Sequence, residues 1–83
     1  MSISTDLHED TMQKIGETSG QIWAYLSAEG PVSLTKLTKE VGEKKDTILL
    51  AVGWLARENK VFFFEKGRNK LIGLIDEHGP PEP

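Results

Sequence analysis

Three cations alternate along one short stretch of this chain, Lys66, Arg68 and Lys70, with Gly67 and Asn69 between them. At the tip of a hairpin such a set can lie against a phosphate backbone, or in a minor groove whose narrow walls favour arginine. Lys44 and Lys45 form a second basic pair, Arg57 stands further on, and Lys36 and Lys39 could add to them. Cations of this kind give affinity and salt dependence, and carry no sequence information by themselves. Glu43, Asp46 and Glu65 sit close by and dilute the patch. A merely solvated charged tip therefore competes with a nucleic-acid contact.

Catalytic chemistry has little footing. The two histidines, His8 and His78, stand near opposite ends of the chain, with no second ligand at metal spacing. No glycine-rich loop is followed by Lys-Ser or Lys-Thr, so the phosphate-cradling motif of nucleotide hydrolases is missing. Ser27 and Ser33 have no base in prospect. The reading is a protein that binds rather than transforms, with no catalytic residue, no metal and no cofactor. No small-molecule ligand is evident. The absence of cysteine rules out disulfides and thiolate metal sites and fits a cytoplasmic setting. The first residues lack the basic start and apolar run of a secretory signal. No stretch approaches the roughly 20 apolar residues of a membrane span.

The net charge of −3 and an isoelectric point near 5.3 argue mildly against a nucleic-acid binder. The distribution argues otherwise. Residues 1–29 hold one base and five acids, residues 30–75 nine bases and five acids, and residues 76–83 three acids. The middle of the chain is basic and both ends are acidic.

The elements that must position these charges follow from periodicity. A helix is expected from about Asp10 to Ala28, with Ile15, Ser19, Ile22, Trp23 and Leu26 forming one stripe. Gly16 and Gly20 each cost that helix about 1 kcal/mol against alanine. They lie four apart and mark a face open to close approach by another backbone. Gly30-Pro31 ends the helix. Pro31–Ser33 is a stub strand, and Ser33 caps a second helix, Leu34 to Val41. After the turn Gly42–Lys45, Asp46 or Lys45 begins a third helix reaching about Glu58, with Asp46 the better cap. Strands Val61–Glu65 and Leu71–Ile75 follow, joined by the loop Lys66–Lys70. That order defines an α+β winged helix-turn-helix: three helices plus a two- or three-stranded antiparallel sheet with a wing hairpin. Residues 10–76 form the domain, between flexible tails at 1–9 and 77–83. A domain of 83 residues buries a modest share of its surface, and self-association would help it.

At 100° per residue, the third helix turns Ile48, Ala51, Val52 and Leu55 inward, and Leu49, Leu50, Gly53, Trp54 and Arg57 outward. Base edges are read by hydrogen-bonding side chains, and on this outer face only Arg57 qualifies. Leu49, Leu50 and Trp54 together mark a contact surface. Either this chain folds over them or a protein partner does. Phe62 and Phe64 must share one strand face and Phe63 the other. Two of the three are expected in the core and one partly covered, with stacking on a nucleobase as the competing use.

The segments Ile15-Gly16-Glu17, Ile22-Trp23, Leu34, Leu37, Val52-Gly53-Trp54-Leu55-Ala56-Arg57-Glu58 and Val61 resemble a small family of prokaryotic winged helix-turn-helix domains of unknown function. The resemblance spans roughly residues 12–75, and Gly53–Glu58 is its most specific part. It implies the fold and a role in DNA binding or regulation, and supplies no functional residues to carry over. Two expectations follow. In the first, a transcription-regulator-like domain binds DNA phosphates through Lys44, Lys45, Arg57, Lys66, Arg68 and Lys70. In the second, a dimer or protein partner sits on Leu49, Leu50 and Trp54.

Overall fold

The computed structural model describes residues 5–75. In chain order it contains α1 (Thr5–Glu29), β1 (Val32–Ser33), α2 (Leu34–Val41), α3 (Lys45–Arg57), β2 (Val61–Lys66) and β3 (Asn69–Leu74). The three strands form one antiparallel sheet in the order β1-β3-β2. This is the winged helix-turn-helix expected from the sequence. The two-residue stub β1 is the third strand, with Val32 opposite Ile72 and Ser33 opposite Leu71.

One core joins all the elements. It consists of Ile22 and Leu26 from α1, Val32 from β1, Leu37 from α2, Ile48, Ala51, Val52 and Leu55 from α3, and Val61 and Ile72 from the sheet. The inward set of α3 is the one its 100° periodicity gives. On α1 the stripe needs a correction, because Trp23 is half-exposed and Thr18 is buried in its stead. Ile22 points at the centre of the core, and its neighbour Trp23 is rotated about 100° away from it. The buried Ser19 donates its hydroxyl to the carbonyl of Ala51 at 3.5 Å, tying α1 to the middle of α3.

Local chemistry sets the helix ends. Ser33 caps α2, its hydroxyl accepting the Lys36 N–H at 3.1 Å. Gly42, at φ 76°, ends that helix in the left-handed conformation that glycine adopts without strain. Asn59 takes the same conformation after α3. The Lys60 N–H returns to the Leu55 carbonyl and the Asn59 N–H to Ala56, which closes the helix as a Schellman motif.

Three boundaries differ from expectation. The first helix starts at Thr5 rather than Asp10, so residues 5–9, read as part of a flexible tail, are helical. The third helix starts at Lys45, one of its two expected starts, and its cap position is Lys44 rather than Asp46, which lies inside the first turn. No side chain caps the helix; the Glu43 carboxylate, one residue before the cap position, accepts the Lys44 N–H at 3.2 Å. The wing turn is two residues rather than five, because Lys66 pairs with Asn69 and Glu65 with Lys70. Gly67, at φ 64°, supplies the first central position of that turn. Residues 1–4 and the expected C-terminal tail at 77–83, with His78, lie outside the described residues. Among those described, no helix is long and apolar enough to cross a membrane.

Candidate nucleic-acid interface

Strand register decides where the wing's charges point. Val61, Phe63 and Glu65 lie opposite Leu74, Ile72 and Lys70, and paired residues share a face. Val61 and Ile72 are buried under the helices, so Phe63, Glu65 and Lys70 belong to the helix-facing side. Lys66 and Asn69 therefore project from the opposite face, and Arg68 sits in the turn. All three wing cations are exposed, and the pleat splits them between two faces.

The same register corrects the reading of the phenylalanines, none of which joins the buried core. Phe62 and Phe64 stack on each other on the outer face, with ring centroids 5.0 Å apart and planes 18° apart. Gly73 allows this: a Cβ there would come within 3.2 Å of both the Phe62 ring and Pro31. Phe63 faces the helix side but lies on the edge strand, near the wing, and remains 61% exposed.

A cleft of about 440 Å³ opens beside it, lined by Leu34, Phe63, Glu65, Lys70 and Ile72 among others. A second cleft, of about 250 Å³, is lined by Leu34, Thr35, Thr38, Lys39 and Lys45. Leu34, the first residue of α2, borders both. The two clefts adjoin at that residue, a depression in two parts lying between the start of α3, α2 and the wing strands. Lys39 and Lys45 flank one end and Lys70 the other, with an exposed aromatic ring between. Lys44 adjoins Lys45 at the α3 cap and is exposed. The start of a helix is itself favourable to anions, through its free N–H groups and dipole.

Arg57 does not belong to this surface. It stands about 18 Å along the helix from Lys45, at 1.5 Å per residue. It lines a third cleft, also of about 440 Å³, with Met12, Ile15, Gly16, Leu50, Gly53 and Trp54. Leu49, Leu50 and Trp54 are all exposed, so no segment among the described residues covers them. Leu50 and Trp54 line the α1–α3 groove, and Leu49 does not.

One ion pair braces the start of α3. Lys14 of α1 meets the Glu43 carboxylate at 2.9 Å. The hydrogen bond from Lys14, then that from the Lys44 N–H, holds the Glu43 carboxyl below the usual carboxylate range. The same hydrogen bond raises the Lys14 ammonium above its ordinary value.

Sequence reasoning missed Phe63 as an exposed element of the site and Leu34 as its hinge point. Strand alternation did separate Phe63 from its neighbours. Nothing local could have shown that it escapes the helices.

Fold and surface together define a winged helix-turn-helix domain. The chain belongs to the winged helix-turn-helix domain family DUF2582, whose model matches residues 9–74. It is 38% identical over 69 residues to the uncharacterized protein MJ1608 of Methanocaldococcus jannaschii, covering 80% of this chain and 97% of that one. The solution structure of protein BT2368 from Bacteroides thetaiotaomicron is similar, with a TM-score of 0.66 and 34% identity over 75% of this chain and 76% of that one. The Zα domain of PKZ from Carassius auratus, solved in complex with Z-DNA, shares the fold at a TM-score of 0.64 and 23% identity. That match covers 74% of this chain and 97% of the domain.

Proposed function

We propose that this domain binds double-helical DNA by its phosphates, through the depression that runs from Lys44 and Lys45 across Lys39 to Lys70 and the wing. The observation that carries the reading is the meeting of two clefts at Leu34, one bordered by Lys39 and Lys45 and the other by Lys70 together with Glu65. Elements distant in sequence there present cations to one partner. Arg68 and Lys66 extend the set at the wing tip. The structural neighbour solved with Z-DNA supports the idea that this fold can carry a nucleic acid.

Binding is by shape and charge rather than by base sequence. A reading helix needs hydrogen-bonding side chains on its outer face. Here that face shows Leu49, Leu50, Gly53 and Trp54, and Arg57 lies at the far end beside α1. A regulatory role of the transcription-factor kind therefore requires selectivity from DNA shape or from a partner.

The test is a titration of isotopically labelled protein with a generic duplex at low salt, followed by backbone amide shifts. Lys39, Lys44, Lys45, Phe63 and residues 66–70 are expected to shift together and to return when salt is added. Arg68→Ala and Lys45→Ala should each weaken binding to unrelated sequences equally. An unchanged spectrum at high DNA concentration refutes the reading.

A further inference from the structure

The groove between α1 and α3 shares no lining residue with the basic depression and has a different chemistry. Met12 (51% exposed) and Ile15 form its α1 wall, and Leu50 (51%) and Trp54 (50%) its α3 wall. Its floor is bare backbone at Gly16 and Gly53. A Cβ built at either glycine meets nothing within 4 Å, so no other part of the described chain approaches them. Apolar projections thus stand directly beside a hollow.

From this we infer that the groove is the seat of a second copy of this chain, related to the first by a two-fold axis. A two-fold interface uses one patch on both copies, so that patch must carry both projections and hollows. Trp54, Leu50 and Met12 are the projections, and the surface over Gly16 and Gly53 is the hollow. The charges at the rim are complementary in the same way. Glu9 precedes Met12 by one helical turn on α1, and Arg57 follows Trp54 by one turn on α3. Both are exposed, and neither has an ion-pair partner among the described residues. A two-fold mate offers each the opposite charge. Nucleic acid fits this groove poorly, since its walls are apolar and phosphates would meet Glu9 at the α1 end of the rim.

The inference stands apart from the DNA reading, because it concerns residues the basic depression does not use. It also assigns Leu49 elsewhere: the dimer takes Leu50 and Trp54 together with α1 and leaves Leu49 outside.

The experiment is sedimentation equilibrium of the full chain without DNA, from about 1 µM to about 1 mM, since a self-associating species responds to its own concentration. The expected result is a mass that rises to twice that of the chain. Gly53→Gln fills the hollow and should weaken the association at least about tenfold. It should keep the helical circular dichroism of the wild type, because space is open at Gly53 and glutamine favours a helix more than glycine does. Gly53→Ala, as a milder second variant, should weaken it less. Arg57→Glu should weaken association, and adding Glu9→Arg to that variant should restore it. A chain that stays monomeric at the highest concentration overturns the inference. So does a dimer that a folded Gly53→Gln variant forms as readily as the wild type.

Discussion

Two surfaces flank α3, and they differ in almost every respect that matters for binding. The depression at the start of the helix is assembled from α2, α3 and the sheet, and its charged rim is mostly cationic, with Lys39, Lys45 and Lys70 against Glu65. The groove further along the helix is assembled from α1 and α3 alone, and its walls are apolar: Met12, Ile15, Leu50, Trp54. The same helix borders both. In a winged helix that reads bases, the outer face of α3 would be the working surface. Here the outer face carries leucines and a tryptophan, and the cations have moved to the helix cap and the wing. What a helix can bind is therefore set by the elements that wall it on either side.

This contrast can be broken deliberately. The largest effect should come from the shared core. Leu37 of α2 is fully buried in the one core on which the helices and the sheet all pack. Leu37→Ala is expected to cost about 2–5 kcal/mol, much of the margin of a small domain, and to abolish both binding behaviours at once. Chemical denaturation measures it, and a loss confined to one surface would show that the two do not share a scaffold.

Next comes a change that separates them. Lys45→Glu with Lys70→Glu places like charge at both ends of the basic depression. DNA affinity should fall on the order of a hundredfold while the self-association constant stays within error. Fluorescence anisotropy and sedimentation on the same sample would check this.

A smaller effect is expected at Ser33, which caps α2 next to Leu34. Ser33→Ala removes the acceptor for the Lys36 N–H and should cost about 1 kcal/mol. Because Leu34 is the point where the two clefts meet, DNA affinity should drop slightly as well, with the α1–α3 groove untouched.

The smallest effect concerns the pair Lys14–Glu43. The folded Glu43 carboxyl lies below its ordinary value, so its stabilising contribution is present above the normal carboxylate range. That contribution disappears as the pH falls through the folded value. Glu43→Gln should therefore lower the unfolding midpoint slightly at neutral pH and leave it unchanged in strong acid. Lys14 is exposed and Glu43 partly so, and a large difference at neutral pH would mean that Glu43 acts mainly through the Lys44 N–H rather than through the ion pair.

Much of the fold was legible in the sequence because each element carries its own signal. The spacing of Ile48, Ala51, Val52 and Leu55 gave the inner face of α3, and Ser33 followed by a short amphipathic run gave α2. The start of α1 was not legible, because residues 5–11 hold no apolar stripe to reveal a helix. Nor was the cap position of α3, which falls on Lys44 with no capping side chain while Asp46 lies inside the first turn. The site was legible only as an inventory. Lysines and wing could be named, but their division between two sheet faces depends on a two-residue turn and a register that only pairing settles. Arg57 was grouped with the lysines because all are basic, and helix length alone puts it at the opposite end. Trp23 sat on the periodic stripe, yet tertiary packing chose its smaller neighbour Thr18 for the interior.

The central claim is that this domain holds DNA by phosphates and not by base edges. The most direct measurement is the affinity for two unrelated duplexes as a function of salt concentration. Log–log slopes of roughly −4 to −5, equal for both sequences, are predicted from the neutralisation of about five phosphates. A slope near zero, or strong preference for one duplex with binding unaffected by Lys45→Ala and Arg68→Ala, would contradict it.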